Sequence, residues 1–270
     1  MSQQKIRVIV SGALGKMGRE TTKAVLADSE LELVGLVDLK SPDTMPEYNS
    51  NKGAKSEDNL PIEKDLETVI INTRPDVMID FTNPHSVFNN SRVALKNGVS
   101  CVIGTTGLND IELKQLEKIA LENKIGIAVI PNFAIGAVLM MKFAREAAKY
   151  LPDVEIIELH HEQKIDAPSG TAIMTAEMIN QVRESRPPRN VREYEKIPGC
   201  RGGDVQQIKI HSVRLPGYIA HQEVIFGGVG QSLIIRHDSF DRVGFMQGVT
   251  MTTKKIIQYQ GLIYGMEKLL

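Results

Sequence analysis

His160 and His161 stand side by side, Lys164 follows three residues later, and Pro168-Ser169-Gly170-Thr171 closes the stretch ELHHEQKIDAPSGTA (158–172). Imidazole and ammonium groups attract anions and deliver protons near neutral pH. Neighbouring side chains on a strand point to opposite faces, so both histidines reach one pocket only where the strand ends and the backbone turns. The order H-H-E-Q-K departs from the H-E-x-x-H of zinc hydrolases, and no metal site is expected. Ser169 or Gly170 is placed to cap a helix over 171–184, whose first N–H groups favour a carboxylate or a phosphate. Two histidines, a lysine and a helix start suit a small anionic substrate that takes a hydride and then a proton.

A hydride needs a donor, and the first forty residues offer a place for one. The strand-like run IRVIV (6–10) leads into SGALGKMGRE (11–20), with Gly12, Gly15 and Gly18 at the strand-to-helix junction. This G-x-x-G-x-x-G spacing differs from the usual G-x-G-x-x-G but meets the same demands. Those are a tight turn, a backbone that approaches a pyrophosphate, and a helix packed close to its strand. Asp38 ends the second strand about twenty residues further on, where a carboxylate meets the hydroxyls of an adenine ribose. Asp38 by itself favours NAD, while Lys16 and Lys40 offset its charge and admit NADP, so the choice between NADH and NADPH stays open. Phe81-Thr82 and Gly104-Thr105-Thr106-Gly107 end the third and fourth strands, and their small and hydroxyl side chains suit a nicotinamide ribose and diphosphate. Asn132-Phe133, after the next strand, adds an amide and a flat ring.

The elements that must carry these residues alternate through the first half: strands at 6–10, 31–38, 76–82, 99–107 and 126–133, with helices at 16–27, 86–98, 109–123 and about 136–149. Short strand–helix units of this kind predict a parallel sheet with helices on both faces. The polar stretches 40–61 and 186–204 read as loops. Beyond residue 150 the pattern changes: a strand at 154–160, the 171–184 helix, and three β-rich segments at 205–214, 218–226 and 231–238. Pro216-Gly217 and Gly227-Gly228 between those segments predict an antiparallel meander, and the stretch from about 245 to 270 reads as helical. The expected class is therefore α/β: a Rossmann-type parallel sheet plus a second α+β domain with a mostly antiparallel sheet. The domains are placed at 1–131, 132–241 and 242–270, the last a helical segment returning to the dinucleotide-binding domain.

The net charge of −1 lacks the basic footprint of a nucleic-acid binder or of a protein drawn to acidic membranes. The two cysteines, Cys101 and Cys200, have neither metal-ligand spacing nor the density of a disulfide scaffold. No apolar run is long enough to span a bilayer, and the N-terminus lacks a signal peptide's build, so a cytoplasmic protein is expected. His85, His211, His221 and His237 share no spacing and read as structural or exposed.

The stretch E-L-H-H-E-Q-K-I-D-A-P-S-G-T-A resembles the signature of the dihydrodipicolinate reductases of lysine and diaminopimelate biosynthesis. The likeness runs in order along nearly the whole chain, through GALGKMGR, DFTNP (80–84), GTTG (104–107), PNFAIG (131–136), HSVRLPG (211–217), HDSFDR (237–242) and FMQG (245–248). The resemblance implies an NADPH- or NADH-dependent oxidoreductase that reduces 4-hydroxy-tetrahydrodipicolinate, a small dicarboxylate. It implies His160 and Lys164 as proton donors and His161, Gly170 and Thr171 as ligands of the substrate's carboxylates. It assigns Gly12, Ala13, Leu14, Gly15, Lys16, Met17, Asp38, Gly104, Thr105, Thr106, Ile130, Pro131, Asn132 and Phe133 to the cofactor. Lys40 joins that set for its charge close to Asp38, and Phe81 and Thr82 for their position at a strand end. A homotetramer built through the substrate-domain sheet is implied as well. Many relatives read G-E-H where this chain has Ala220-His221-Gln222, and G-E at Gly230-Gln231; both departures are expected to lie away from the chemistry.

Two rival readings remain: another two-domain nicotinamide dehydrogenase, acting on a semialdehyde or a sugar, and a non-catalytic dinucleotide sensor. The first lacks an E-K-P motif and a cysteine placed as nucleophile, because Cys101 falls inside a strand. The second gives no reason for proton donors beside a helix start.

Overall fold

The computed structural model describes residues 4–40, 60–184 and 194–270. Residues 41–59 of the loop expected at 40–61, and the part of the loop expected at 186–204 that precedes residue 194, fall outside the described residues. The chain forms two compact units, one of Met1–Phe133 with Phe245–Leu270 and one of Ala134–Gly244.

The first unit is built on strands β1 (Ile6–Ser11), β2 (Leu31–Val37), β3 (Ile62–Glu63), β4 (Val77–Asp80), β5 (Ser100–Ile103) and β6 (Gly126–Val129). With β12 (Gly261–Tyr264) they form a parallel sheet in the order β12-β6-β5-β4-β1-β2-β3. Strand residues alternate between the two faces, and both faces are apolar because both are covered. Ile9, Met78, Cys101 and Ile127 pack under helices α2 (Leu66–Thr73), α3 (Val87–Lys96) and α4 (Asp110–Glu122). On the opposite face lie α1 (Lys16–Ala27) and α7 (Met246–Ile256), which pack against each other.

Local chemistry explains the helix ends. Asn109 and Glu112 form a reciprocal capping box at the start of α4. Asp65 caps α2 by accepting from the Thr68 N–H, and the helix stops at Arg74, directly before Pro75. No helix was expected at α2, where the β-branched run TVIINT masks the helical period. The C-terminal stretch also departs from expectation. Only α7 is α-helical; at Gly261, with its left-handed φ of 79°, the chain enters β12 beside β6, and a short 3-10 turn follows at Met266–Lys268.

The second unit holds α5 (Ile135–Ala147), β7 (Asp153–His160), α6 (Gly170–Asn180), β8 (Gly203–Val205), β9 (Ile208–Arg214), β10 (Ala220–Gly228) and β11 (Gln231–Ser239). Its sheet order is β11-β10-β7-β9-β8. The antiparallel meander expected over the last three strands is therefore half right. β10 and β11 form a hairpin, but β9 pairs in parallel with β7, which lies between β9 and β10. The connection at 215–219 is long enough to cross one strand, since neighbouring strands lie about 4.8 Å apart. Pro216-Gly217 marks the reversal without naming the neighbour.

Candidate active site

In the first unit the strand order reverses at β1 and β4, the place where open parallel sheets bind ligands. A cavity of about 420 Å³ lies there, lined by Ser11, Gly12, Gly15, Val37, Asp38, Leu39, Lys40, Lys64, Leu66, Phe81, Thr82, Asn83, Ser86 and Asn90. Gly12 has a left-handed φ of 80°, and a Cβ there would come within 2.5 Å of the Phe81 carbonyl oxygen. The Gly12 N–H donates to Val37 and the Gly15 N–H to Gly12, which closes the turn. Among the described residues no side chain caps α1 at Gly15, and the positive end of its dipole faces the glycine loop. This glycine cradle and uncapped helix start fit a dinucleotide diphosphate.

Gly18 sets the closeness of helix and loop, because a Cβ there would lie 2.0 Å from the Gly12 carbonyl oxygen. Gly18→Ala must push the backbone apart, and the expected result is cofactor affinity weakened by about tenfold or more. Fluorescence titration with NADPH measures it; wild-type affinity would show that the loop tolerates the shift.

Asp38 lies at the carboxyl end of β2, as expected. Its carboxylate accepts from the Leu14 N–H at 2.9 Å and the Lys40 N–H at 2.9 Å, so it braces the glycine loop as well as facing the cavity. Of the other expected cofactor residues, Gly12, Gly15, Lys40, Phe81 and Thr82 line the cavity. Ala13 and Leu14 are buried in the turn, Lys16 is exposed, and Met17 is half-buried in the first turn of α1. Gly104, Thr105 and Thr106 follow β5, with Gly104 against the Phe81 ring. Ile130, Pro131, Asn132 and Phe133 follow β6, and the Phe133 and Phe81 rings are centred 5.7 Å apart. The expected set thus runs as one row along the carboxyl edge of the sheet.

Sequence reasoning missed the residue that organises this row. Asp80 is fully buried and accepts from the Thr82 hydroxyl at 2.7 Å, the Thr105 hydroxyl at 2.7 Å and the Asn90 amide at 2.9 Å. One carboxylate so fixes residues from three successive segments. Lys64, Asn83 and Ser86 were missed too; Lys64 carries no local signal, whereas the Asn83-Pro84 turn after DFT does.

In the second unit His160 is the last residue of β7, and His161 stands exposed just beyond it, where the strand ends as expected. The Lys164 N–H donates to the His161 carbonyl, turning the loop back, and the Lys164 ammonium pairs with Asp166 at 2.7 Å. The Lys164 hydrogen bond holds the Asp166 carboxyl below the usual carboxylate range. Ser169 proves to be the N-cap: its hydroxyl accepts from the Ala172 N–H at 3.2 Å, so α6 begins at Gly170 and Thr171. Gly170 is exposed, with open space beside it.

Beneath this loop lies a carboxylate the sequence reading passed over. Glu158 has a side chain 0% exposed and lies within 2.5 Å of His160 Nδ1. Arg214 donates to both of its oxygens, at 2.8 and 2.9 Å, and the Ser169 N–H donates at 3.3 Å. Burial alone would raise this carboxyl's pKa. The hydrogen bonds from His160, Arg214 and Ser212, together with the His160 charge, outweigh it and hold the value at about 2. The signal was available in the strand period, since Val154, Ile156 and Glu158 share the buried face of β7.

Ala220-His221-Gln222 was expected away from the chemistry, but the β7–β10 register sets Ala220 opposite His160 and Gln222 opposite Glu158. Gln222 is buried and donates to the Thr175 hydroxyl of α6 at 2.8 Å. Gly230-Gln231, by contrast, lies at the far end of the β10–β11 hairpin. His221 is buried against Asp238, His211 pairs with Glu155 and His85 is exposed, which fits the structural or exposed roles expected for them. Cys101 is fully buried in β5, where burial, and then the Asp80 charge, push its thiol well above the ordinary range. Among the described residues no cluster of histidine, cysteine and carboxylate side chains could hold a metal ion.

Comparison with known proteins gives matches in both parts of the chain. The family described as "Dihydrodipicolinate reductase, N-terminus" matches residues 6–133, and "Dihydrodipicolinate reductase, C-terminus" matches residues 136–270. A relative from Syntrophomonas wolfei subsp. wolfei (strain DSM 2245B / Goettingen), named 4-hydroxy-tetrahydrodipicolinate reductase, is 66% identical and aligns over 99% of this chain and 100% of its own. The solved structure of a dipicolinate-bound dihydrodipicolinate reductase from Paenisporosarcina sp. TG-14 is 48% identical, with a TM-score of 0.88, over 99% of this chain and 100% of that one. An amine dehydrogenase from Mycobacterium smegmatis, 13% identical with a TM-score of 0.61 over 97% of this chain and 95% of that one, shares the fold alone. Matched through both halves and alike over its full length, the chain belongs to the dihydrodipicolinate reductase family.

Proposed function

We propose that this chain reduces 4-hydroxy-tetrahydrodipicolinate to tetrahydrodipicolinate with NADH or NADPH, in the biosynthesis of lysine and diaminopimelate. The observation that carries this reading is the loop from His160 to Thr171, where two proton-bearing groups and a helix start lie together in a family member. A bound reduced nicotinamide supplies the hydride. In the first unit, the Gly12–Met17 turn and the start of α1 hold the diphosphate, and Asp38 takes the adenine ribose. Lys40 and Lys64 stand beside Asp38 in the same cavity, where their charges tolerate a 2′-phosphate. Phe81, Thr82, Gly104, Thr105, Thr106 and the 130–133 segment line the nicotinamide end.

In the second unit, His161, Gly170 and Thr171 bind the two carboxylates of the substrate. The Paenisporosarcina relative's dipicolinate, a planar dicarboxylate, supports that choice. His160 and Lys164 deliver the proton that the enamine-like product of hydride addition requires. The first unit thus serves as the dinucleotide-binding domain and the second as the domain for substrate and assembly. Assembly as a homotetramer through the second unit's sheet belongs to this reading. It is supported by Ile234, which stands exposed on β11 opposite Ile225, and by Ile225 and Ile157, which are only half-buried on the same face of the central strands. A cytoplasmic location suits a biosynthetic enzyme, and among the described residues no helix is long and apolar enough to cross a membrane.

The test follows oxidation of NADPH and of NADH with substrate generated in situ from pyruvate and aspartate semialdehyde. Turnover with either cofactor is expected. Absence of turnover with both would overturn the reading.

A further inference from the structure

Glu158 is buried on the face of β7 that also carries His160, and the two side chains meet at His160 Nδ1, 2.5 Å away. A carboxylate that takes two guanidinium N–H groups and a backbone N–H acts only as an acceptor. Its contact with His160 is then a hydrogen bond that Nδ1–H must donate. The parallel register of β7 and β9 places Arg214 directly beside His160, which lets one guanidinium reach both carboxylate oxygens. The same guanidinium donates to the Asp166 carbonyl at 2.8 Å, and the Leu215 N–H donates to the His160 carbonyl. Asp166 in turn holds the Lys164 ammonium. A single buried ion pair therefore ties down the first residue of the loop, its lysine partner and the Ser169 cap.

We propose that Glu158, held as an anion by Arg214, is the positioning residue of His160: it occupies Nδ1–H and leaves Nε2 as the nitrogen that carries the transferable proton. This rests on the reading of His160 as a proton donor. In the donating step the Nε2–H bond breaks, its electron pair stays on the nitrogen, and the proton bonds to the reduced substrate. His160 is then neutral with Nδ1–H intact, so no tautomer change interrupts turnover. Arg214 stops the carboxylate from taking that proton itself and braces the loop through Asp166. Glu158 touches neither substrate nor cofactor and acts only through the imidazole.

The experiment uses the full chain labelled with 15N-histidine, with the His160 signals assigned by their loss in His160→Asn. In the wild-type protein the neutral ring is expected as the Nδ1–H tautomer; a neutral Nε2–H ring overturns the proposal without any variant at Glu158. In Glu158→Gln, checked by circular dichroism for a native spectrum, a mixture of both tautomers is expected. With it, kcat should fall by about 100-fold or more while NADPH affinity is unchanged. Wild-type kcat together with a wild-type tautomer in that variant also overturns it. The tautomer is read without turnover, so an inactive wild-type protein would remove the reductase reading and leave the Glu158–His160 result to be judged separately.

Discussion

His160→Ala is expected to lower kcat by about two to four orders of magnitude while NADPH binds as tightly as before. The two effects separate because the residues proposed to bind the cofactor lie in the first unit and His160 in the second. Truncation removes the imidazole and leaves the Glu158 carboxylate with Arg214 and Ser169 as partners. Lys164→Ala should lower kcat over the same range, because it removes the second proposed proton donor and frees Asp166, a carboxylate, in the loop proposed to bind an anionic substrate. If the two groups act as one proton-delivering unit, the double variant loses far less than the product of the single losses. Steady-state cofactor oxidation, paired with a binding titration, checks all three variants. Near-normal turnover in both single variants would remove them as proton donors.

How far such a site can be read from sequence depends on whether its signal is local. The turn from Gly12 to Gly18, the carboxylate at Asp38 and the cap at Ser169 are short-range devices, and each stands where its spacing placed it. The parallel sheet was legible because strand and helix alternate along the chain. Pairing between distant strands leaves no such trace, and the position of β7 between β9 and β10 illustrates this. Without that register Arg214 is merely the last residue of a strand, and Glu158 an acid next to two histidines. Asp80 escaped notice for the same reason, since its partners at Asn90 and Thr105 are brought in by α3 and by the end of β5. Buried polar hubs depend on tertiary neighbours, whereas turns and caps depend on the next few residues.

Acid should loosen the second unit ahead of what its surface charges predict, and Glu158 is the reason. The carboxyl sits at about 2 in the folded chain against an ordinary value of 4.5, so folding favours its ionised form. A depressed folded pKa contributes stability that is complete above the unfolded value and is lost as pH falls from 4.5 toward about 2. A gap of that size corresponds to on the order of 3 kcal/mol, a sizeable part of what holds a domain folded. Asp166 and Asp204 are also held low, by Lys164 and by the Gln207 N–H respectively, but both are solvent-facing and add little. Urea unfolding followed by circular dichroism, in steps from about pH 7 to pH 2, should show the wild-type midpoint falling mainly within this window. Glu158→Gln should start lower at neutral pH, because Arg214 is left buried without its anion, at a cost of about 3–5 kcal/mol. It should then change less with acid, so that the two curves converge as the wild-type carboxyl protonates. Parallel curves across the whole range would show that Glu158 is not the titrating group. Arg214→Met should be damaging by itself, for it strands an anion in the same place. Combining it with Glu158→Leu should cost less than the sum, since a buried ion pair removed whole leaves no uncompensated charge.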